Sequence, residues 1–194
     1  MPNWCNNYVE LEHNDPAMIS RAAKALGKGE LLNEFIPVPT ELHIAAGNVG
    51  EKGSPEQVAH ELQVEQNIAK HGYADWYAFC TSEWGTKWDL GGDGSQATID
   101  ESGKKLTVSV DSAWCPPIQA YEKLEKLGFT VKAMYYESGM GFAGTYSDGC
   151  DDYYEFDSLD SSDVADMLPA ELNEFFNISA DIAEWEEENE EEEE

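Results

Sequence analysis

Basic residues are scarce in this chain of 194 residues. It contains 11 Lys and Arg against 40 Asp and Glu, which gives a formal net charge of -29. A negative field of this size repels DNA, RNA and anionic membrane surfaces unless a local basic patch overrides it. We therefore do not expect ordinary nucleic-acid binding.

Long apolar runs are also missing. No run approaches the ~20 residues that a membrane-spanning helix needs. Residues 1–7 have neither the basic region nor the apolar stretch of a signal peptide. We expect a cytoplasmic protein that does not enter a membrane.

Paired cysteines and the common cofactor motifs are absent too. No two cysteines form a C-x-x-C pair, so the sequence lacks the spacing of a zinc site. The wide spacing of the cysteines does not indicate a disulfide framework either. It also lacks an H-E-x-x-H helix, a P-loop and a G-x-G-x-x-G turn. We predict no metal and no cofactor. Scattered cysteines of a reduced compartment are usually small buried hydrophobes, and we predict this for Cys5, Cys80, Cys115 and Cys150.

The charge that is present is unevenly placed. The last basic residue is Lys132, and more than half of the acidic residues follow it. The final stretch, 184–194, is almost entirely Glu, and such a run repels itself and stays solvated. Hydrophobic residues make up 41% of the chain, enough to bury a core. We predict a folded domain over 1–157 and an acidic extension with a poly-Glu tail over 158–194.

Apolar periodicity predicts strands that alternate with two helices in the first domain. Most of these strands can be joined by hairpins, which favours an α+β fold with an antiparallel sheet and helices on one face. A polar, glycine-containing segment and a weak helix up to Lys70 form an inserted, partly helical excursion. The two prolines of 35–39 indicate an extended edge or connection. The predicted strands cover 3–12, 97–100, 106–111, 129–135, 142–146 and 153–156, and the predicted helices cover 16–26, 54–70 and 118–127.

Six blocks in fixed order carry a family resemblance. They are PNWCNN (2–7), IPVP (36–39), WY (76–77), WGTKWD (84–89), AWCPP (113–117), and YESG with FAG (136–139 and 142–144). With these blocks the chain resembles the YubB-type family of phage and conjugative-plasmid accessory proteins. The resemblance implies a ferredoxin-like fold, without an iron-sulfur cluster, and a setting in a mobile element inside a bacterial host cell. It implies no reaction and no catalytic residue.

A tryptophan-rich segment is one candidate site. Trp84, Lys87 and Trp88, with Trp4 and Trp114, could form a face on which the lysine holds an anion while the rings stack on a flat group. The structural alternative is that the tryptophans close one end of the core. Lys87 would then cap a carbonyl or pair with Glu83 or Asp89.

Catalytic constellations are poorly supported by the sequence. The four histidines lie in no recognisable signature, and Cys5 and Cys80 lack a marked base. Glu137, at the end of a predicted strand, is a candidate acid or base without a second residue to accompany it. We therefore predict a protein that is not an enzyme.

The acidic segment is the second candidate site. Its acids lack the register of a calcium-binding EF-hand loop. A helix beginning near Ser161 and another after Pro169 could dock on the domain and fix carboxylates in space, so that an acidic array imitates the phosphates of duplex DNA. The sequence thus predicts an inhibitor that binds a basic host nuclease or DNA-targeting defence protein; a solvated surface that only maintains solubility is the alternative. The residues predicted to bind this partner are Asp148, Asp151, Asp152, Glu155, Asp157, Asp160, Asp163 and Asp166.

Overall fold

The computed structural model describes residues 3–92, 95 and 97–193, and it contains a six-stranded antiparallel sheet. The strands are β1 (Trp4–Glu12), β2 (Thr98–Ile99), β3 (Lys105–Ala113), β4 (Thr130–Glu137), β5 (Phe142–Ser147) and β6 (Cys150–Glu155). Their order across the sheet is β2-β3-β1-β4-β5-β6. The helices are α1 (Pro16–Leu26), α2 (Leu31–Phe35), α3 (Pro55–His71), α4 (Trp76–Glu83), α5 (Ile118–Lys126), α6 (Ser161–Met167), α7 (Ala170–Phe176) and α8 (Ile178–Glu193). The predicted α+β fold with a ferredoxin-like antiparallel sheet is confirmed.

The main core lies between one face of the sheet and helices α1, α2, α4 and α5. In β1 every second residue is buried, among them Val9 and Leu11. Helix α1 begins where Asp15 accepts a hydrogen bond from the backbone N–H of Ala17, with Pro16 at the first helical position. Its buried residues include Ile19, which belongs to the same apolar cluster as Val9. Helices α1, α2, α4 and α5 therefore pack on one face of the sheet, as their apolar pattern requires.

Helices α6, α7 and α8 cover part of the opposite face. A second apolar cluster joins Ala143 and Phe156 to Val164, Leu168 and the other buried residues of these helices. The cluster combines residues from both sides of the predicted boundary at 157–158. The acidic extension is therefore packed against the sheet.

Several segments differ from the sequence interpretation, among them the last strand, which is predicted over 153–156 and is observed over Cys150–Glu155. Residues Leu31–Phe35 form the short helix α2, in which Leu31 and Leu32 are buried. Because Phe35 belongs to this helix, the connection predicted over 35–39 is limited to 36–39. Residues Trp76–Glu83, for which the sequence predicts no element, form the helix α4, whose N-cap Asp75 accepts a hydrogen bond from the backbone N–H of Ala78 at 2.9 Å. Residues 184–193 of the stretch predicted as a solvated tail belong to helix α8, and Glu194 lies outside the described residues.

The cysteine prediction is correct for two residues and wrong for two. Cys5 and Cys80 are buried, and burial raises the pKa of each thiol to about 12. Cys115 and Cys150 are exposed, because the first follows the end of β3 and the second begins the edge strand β6. All four cysteines are free thiols.

Truncating Leu172 tests whether the second apolar cluster anchors the extension. Leu172 is fully buried in that cluster. We expect Leu172→Ala to lower the free energy of unfolding by about 2–5 kcal/mol, because it leaves a cavity between α7 and the sheet. The matched control is Leu62→Ala on α3, where the leucine is exposed; we expect a change within about 0.5 kcal/mol. Urea unfolding measures both, and equal values for the two variants would contradict the anchoring role.

Candidate functional site

Four of the predicted partner-binding acids lie on the β5–β6 hairpin. Asp148 occupies the turn, and Asp151, Asp152 and Glu155 belong to β6. All four are exposed. Because side chains alternate along a strand, Asp151 and Glu155 share one face of the sheet while Asp152 lies on the other. The hairpin therefore divides its acids between two faces.

The other four acids lie on or just before α6. Asp157 precedes the helix, Asp160 is its N-cap, and Asp163 and Asp166 are within it or its last turn; all are exposed. Hydrogen bonds, first of all from the backbone N–H of Asp163, lower the pKa of Asp160. Asp163 and Asp166 are three residues apart, a spacing that places side chains on the same side of a helix. Helix α6 thus presents a short row of carboxylates.

Helix α8 lies against α6 and contributes more carboxylates. Glu186 accepts hydrogen bonds from the backbone N–H of Ser161 at 3.0 Å and from its hydroxyl at 2.6 Å. Ile178 is buried and Ile182 packs against the same apolar cluster as α6. The exposed residues Glu187 and Glu188 follow directly. The Glu-rich segment is therefore joined to α6 as a second acidic element.

The tryptophans of the predicted ligand site differ in their exposure to solvent. Trp84 is only 4% exposed, and its indole N–H donates to the carbonyl of Ile36 at 3.0 Å. It is a core residue, which corrects the expectation that it contacts a ligand. Trp88 and Trp114 are each 39% exposed and Trp4 is 46% exposed. These three rings remain available at the surface.

Lys87 lies among the exposed aromatic rings. Its Nζ is 4.7 Å from the ring centroid of Trp88, 5.1 Å from that of Trp114 and 5.9 Å from that of Tyr77. Such distances are those of cation–π contacts. Tyr77 was not anticipated from the sequence, because its approach to Lys87 depends on how α4 packs. We call Trp4, Tyr77, Lys87, Trp88 and Trp114 the tryptophan surface.

The carboxylates expected to pair with Lys87 are engaged elsewhere. Glu83 binds Lys123 and Tyr73. Burial acts to raise the pKa of the Glu83 carboxyl, but the hydrogen bonds from Lys123 and Tyr73 and the charge of Lys123 together lower it. Asp89 accepts the backbone N–H groups of Leu32, Asn33 and Leu90. Burial raises the pKa of Asp89, and these three donors oppose that effect. The sequence alternative in which Lys87 pairs with a neighbouring acid is therefore wrong for both residues.

A cavity of about 720 Å³ opens beside the tryptophan surface. Its lining includes Trp4, Trp88, Asn6, Asp111 and Phe176, the last of which belongs to α7. The rings of Trp4 and Trp88 lie 5.6 Å apart. The cavity thus joins the tryptophan surface to the acidic extension.

The backbone of Trp114 is strained. Its φ is 70°, a left-handed conformation that costs a bulky residue roughly 1–3 kcal/mol. Residues with such strain cluster at functional sites.

Glu137 does not lie open to a substrate. It is 2% exposed, and its carboxylate accepts the backbone N–H groups of Gly139 at 2.9 Å and Met140 at 2.6 Å. These bonds hold the turn between β4 and β5. The candidate acid or base is therefore engaged in fixing a turn.

Metal-binding clusters and membrane-spanning helices are absent from the part of the chain that the structure describes. Among the described residues, no group of three or more His, Cys, Asp or Glu is arranged to hold a metal ion. Within the same ranges, no helix combines the length and the apolar character needed to cross a bilayer.

Comparison with known proteins gives little guidance. No protein-family description and no curated protein matches the chain. One similar solved structure is a protein api92 from Yersinia pseudotuberculosis, of the family DUF1281. It shares 12% sequence identity, the alignment covers 80% of this chain and 98% of that chain, and the TM-score is 0.43. At that TM-score the likeness supports no conclusion about this chain.

Removing the Glu186 carboxylate tests how α8 is held. We expect Glu186→Ala to destabilise the α6–α8 contact by about 0.5–2 kcal/mol, the cost of losing a comparable helix-capping acceptor. Amide hydrogen exchange would then be faster in α8. The control is Glu187→Ala, which removes the neighbouring exposed carboxylate. Equal exchange in the two variants would mean that Glu186 does not anchor the helix.

Proposed function

We propose that this chain is a non-enzymatic accessory protein of a phage or plasmid, and that its acidic C-terminal third, the residues that follow Lys132, binds a basic host protein in the bacterial cytoplasm. The partner class is a nuclease or DNA-recognition component of a defence system. By occupying the basic groove of that partner, the acidic surface would exclude its DNA. The family resemblance in the sequence supports the mobile-element setting.

The observation that carries this proposal is the packing of the acidic helices against the sheet. The cluster around Val164, Leu168 and Leu172 is buried, whereas Asp163 and Asp166 on the same elements are exposed. Carboxylates on a fixed helix do not have to be ordered when a partner binds, which lowers the entropic cost of association. This favours a binding surface over a carboxylate-rich tail that only maintains solubility.

The spacing of the carboxylates is compatible with a phosphate-like surface. Residues three apart on a helix are about 4.5 Å apart along its axis, and duplex DNA carries one charge per ~1.7 Å of its length when both strands are counted. One helical row is therefore too sparse, and a second row is needed. Helix α8, joined to α6 through Glu186 and Ser161, supplies neighbouring carboxylates.

Neutralising four exposed acids tests the proposal. Asp152, Asp157, Asp163 and Asp166 are all exposed, and we choose the variant Asp152→Asn/Asp157→Asn/Asp163→Asn/Asp166→Asn. With roughly 0.2–1 kcal/mol for each exposed ion pair, we expect binding to weaken by about 10-fold or more. The measurement is displacement of a labelled DNA duplex from purified host nucleases and DNA-recognition proteins, at low and high salt.

The matched control neutralises four acids that precede Lys132 and so lie outside the acidic C-terminal third: Glu51→Gln/Glu65→Gln/Glu101→Gln/Glu122→Gln. These residues are exposed as well, so the net charge changes by the same amount. We expect this control to keep most of the affinity, and wild-type binding to weaken as salt screens the charges. If both variants weaken binding equally, or if no basic DNA-binding protein is displaced from its duplex, the proposal is wrong.

The tryptophan surface supports a second candidate function, binding of a small planar anionic ligand. The observation that favours it is the ammonium group of Lys87, which lies over Trp88 and Trp114 while both rings remain partly exposed. A ring face and a cation side by side can stack a flat group and neutralise its charge.

Replacing Lys87 tests this second candidate. Nucleoside monophosphates serve as the probe, and quenching of tryptophan fluorescence reports binding. We expect Lys87→Ala to weaken binding by about 5-fold or more, since a cation–π or ionic contact contributes about 1 kcal/mol or more. Lys52→Ala, at an exposed lysine in the loop before α3, is the control. Quenching that is absent in the wild type or unchanged in Lys87→Ala rules this candidate out.

A further inference from the structure

The hairpin geometry shows which backbone groups of β6 are directed away from the sheet. Asp148 and Gly149 have φ values of 51° and 75° and form a two-residue turn between the paired residues Ser147 and Cys150. In such a hairpin the pair next to the turn is hydrogen-bonded, and every second pair after it is too. The bond from the N–H of Phe156 to the carbonyl of Gly141, at 2.7 Å, continues this alternation.

The N–H and C=O groups of Asp151, Tyr153 and Glu155 therefore point to the open edge of the sheet. All three residues are exposed, and β6 is the last strand of the sheet order. In the described part of the chain, no turn, loop or cap hydrogen bond reaches these backbone groups. An edge with unpaired backbone groups can accept a strand from another chain.

Two side chains of this edge, those of Asp151 and Tyr153, are held by neighbouring residues. The hydroxyl of Tyr135 donates to the Asp151 carboxylate at 2.6 Å. Gly144 makes room for that hydroxyl, because a Cβ at this position would lie 2.2 Å from it. The ring of Tyr153 packs 5.4 Å from that of Phe142. The edge is therefore ordered before any partner arrives.

The charges of the edge select against a second copy of this chain. If two β6 strands paired antiparallel about Tyr153, Asp151 of each copy would lie directly opposite Glu155 of the other. Like charges in directly opposed positions destabilise a strand pair, and opposite charges stabilise it. A strand with Lys or Arg at two positions four residues apart would instead place a cation opposite each carboxylate.

We propose that the outer edge of β6 binds an extended segment of the basic partner, with Lys or Arg at positions i and i+4 opposite Asp151 and Glu155. The segment adds a seventh, antiparallel strand to the sheet. Its backbone pairs with Asp151, Tyr153 and Glu155, and its charges fix the register. This inference rests on the proposed function for the basic character of the partner.

A charge-reversed copy of the chain provides the probe. The variant Asp151→Lys/Glu155→Lys carries a basic strand of matching register, so we expect it to associate with the wild-type chain about 10-fold or more tightly than the wild type associates with itself. Analytical ultracentrifugation at high protein concentration, in about 0.15 M salt that screens the remote charges, measures both. A mixed pair no tighter than the wild type alone overturns the inference. If Asp151→Lys/Glu155→Lys does not fold, Asp151→Asn/Glu155→Lys is used in its place. A mixed pair of this variant and the wild type that is no tighter than the wild type alone also overturns the inference.

A proline substitution identifies the surface used. Tyr153→Pro removes the outward N–H and leaves the β5 pairing intact, since edge strands tolerate proline at outward positions. Tyr153→Ala removes the same ring and keeps the N–H. We expect Tyr153→Pro to abolish the association between the wild-type and charge-reversed chains and Tyr153→Ala to retain it. Far-UV circular dichroism checks that both variants are folded. Equal association of the two would show that β6 does not pair. No host protein is needed, so failure here is distinguishable from failure of the proposed function.

Discussion

The arrangement of this protein depends on burial of one apolar cluster between the sheet and its acidic helices. Ala143 and Phe156 on the sheet side meet Val164, Leu168 and Leu172. Without that contact, the carboxylates of a chain with net charge -29 would drive the extension away from the body by mutual repulsion. Burial of apolar area is short-ranged and independent of charge, at about 25 cal/mol per Å². It can therefore hold an acidic segment in place while the carboxylates on its outer side remain solvated.

The same packing gives the acidic region two different surfaces. On α6 and α8 the carboxylates project from helices that are joined through Glu186 and Ser161. On β6 they flank backbone groups that point to the outer edge of the sheet, and strand alternation divides them between two faces. A basic partner would meet an electrostatic surface in the first case. In the second it would meet a strand edge that also imposes register and direction.

The tryptophan surface arises from a change of direction in the chain. Helix α4 ends at Glu83, and Gly85, with a φ of 85°, turns the backbone. Trp84 is directed into the core, while Trp88 lies at the surface with Lys87 over its ring. A Cβ at Gly85 would lie 2.0 Å from the side-chain oxygen of Gln119, so this turn also packs closely against α5.

The sequence by itself determined the α+β class, the main strands and helices, and the concentration of acids after Lys132, because local periodicity and charge are properties of neighbouring residues. It did not determine that the Glu-rich end forms helix α8, since that helix is held by a contact between Glu186 and a residue 25 positions away. Nor could it separate Trp84 from Trp88, or Cys5 from Cys115, because burial depends on which distant elements pack over a residue. The open edge of β6 was likewise decided by the order of strands in the sheet. Sequence patterns specify which face of a strand is apolar, but only the tertiary structure decides which strand is last.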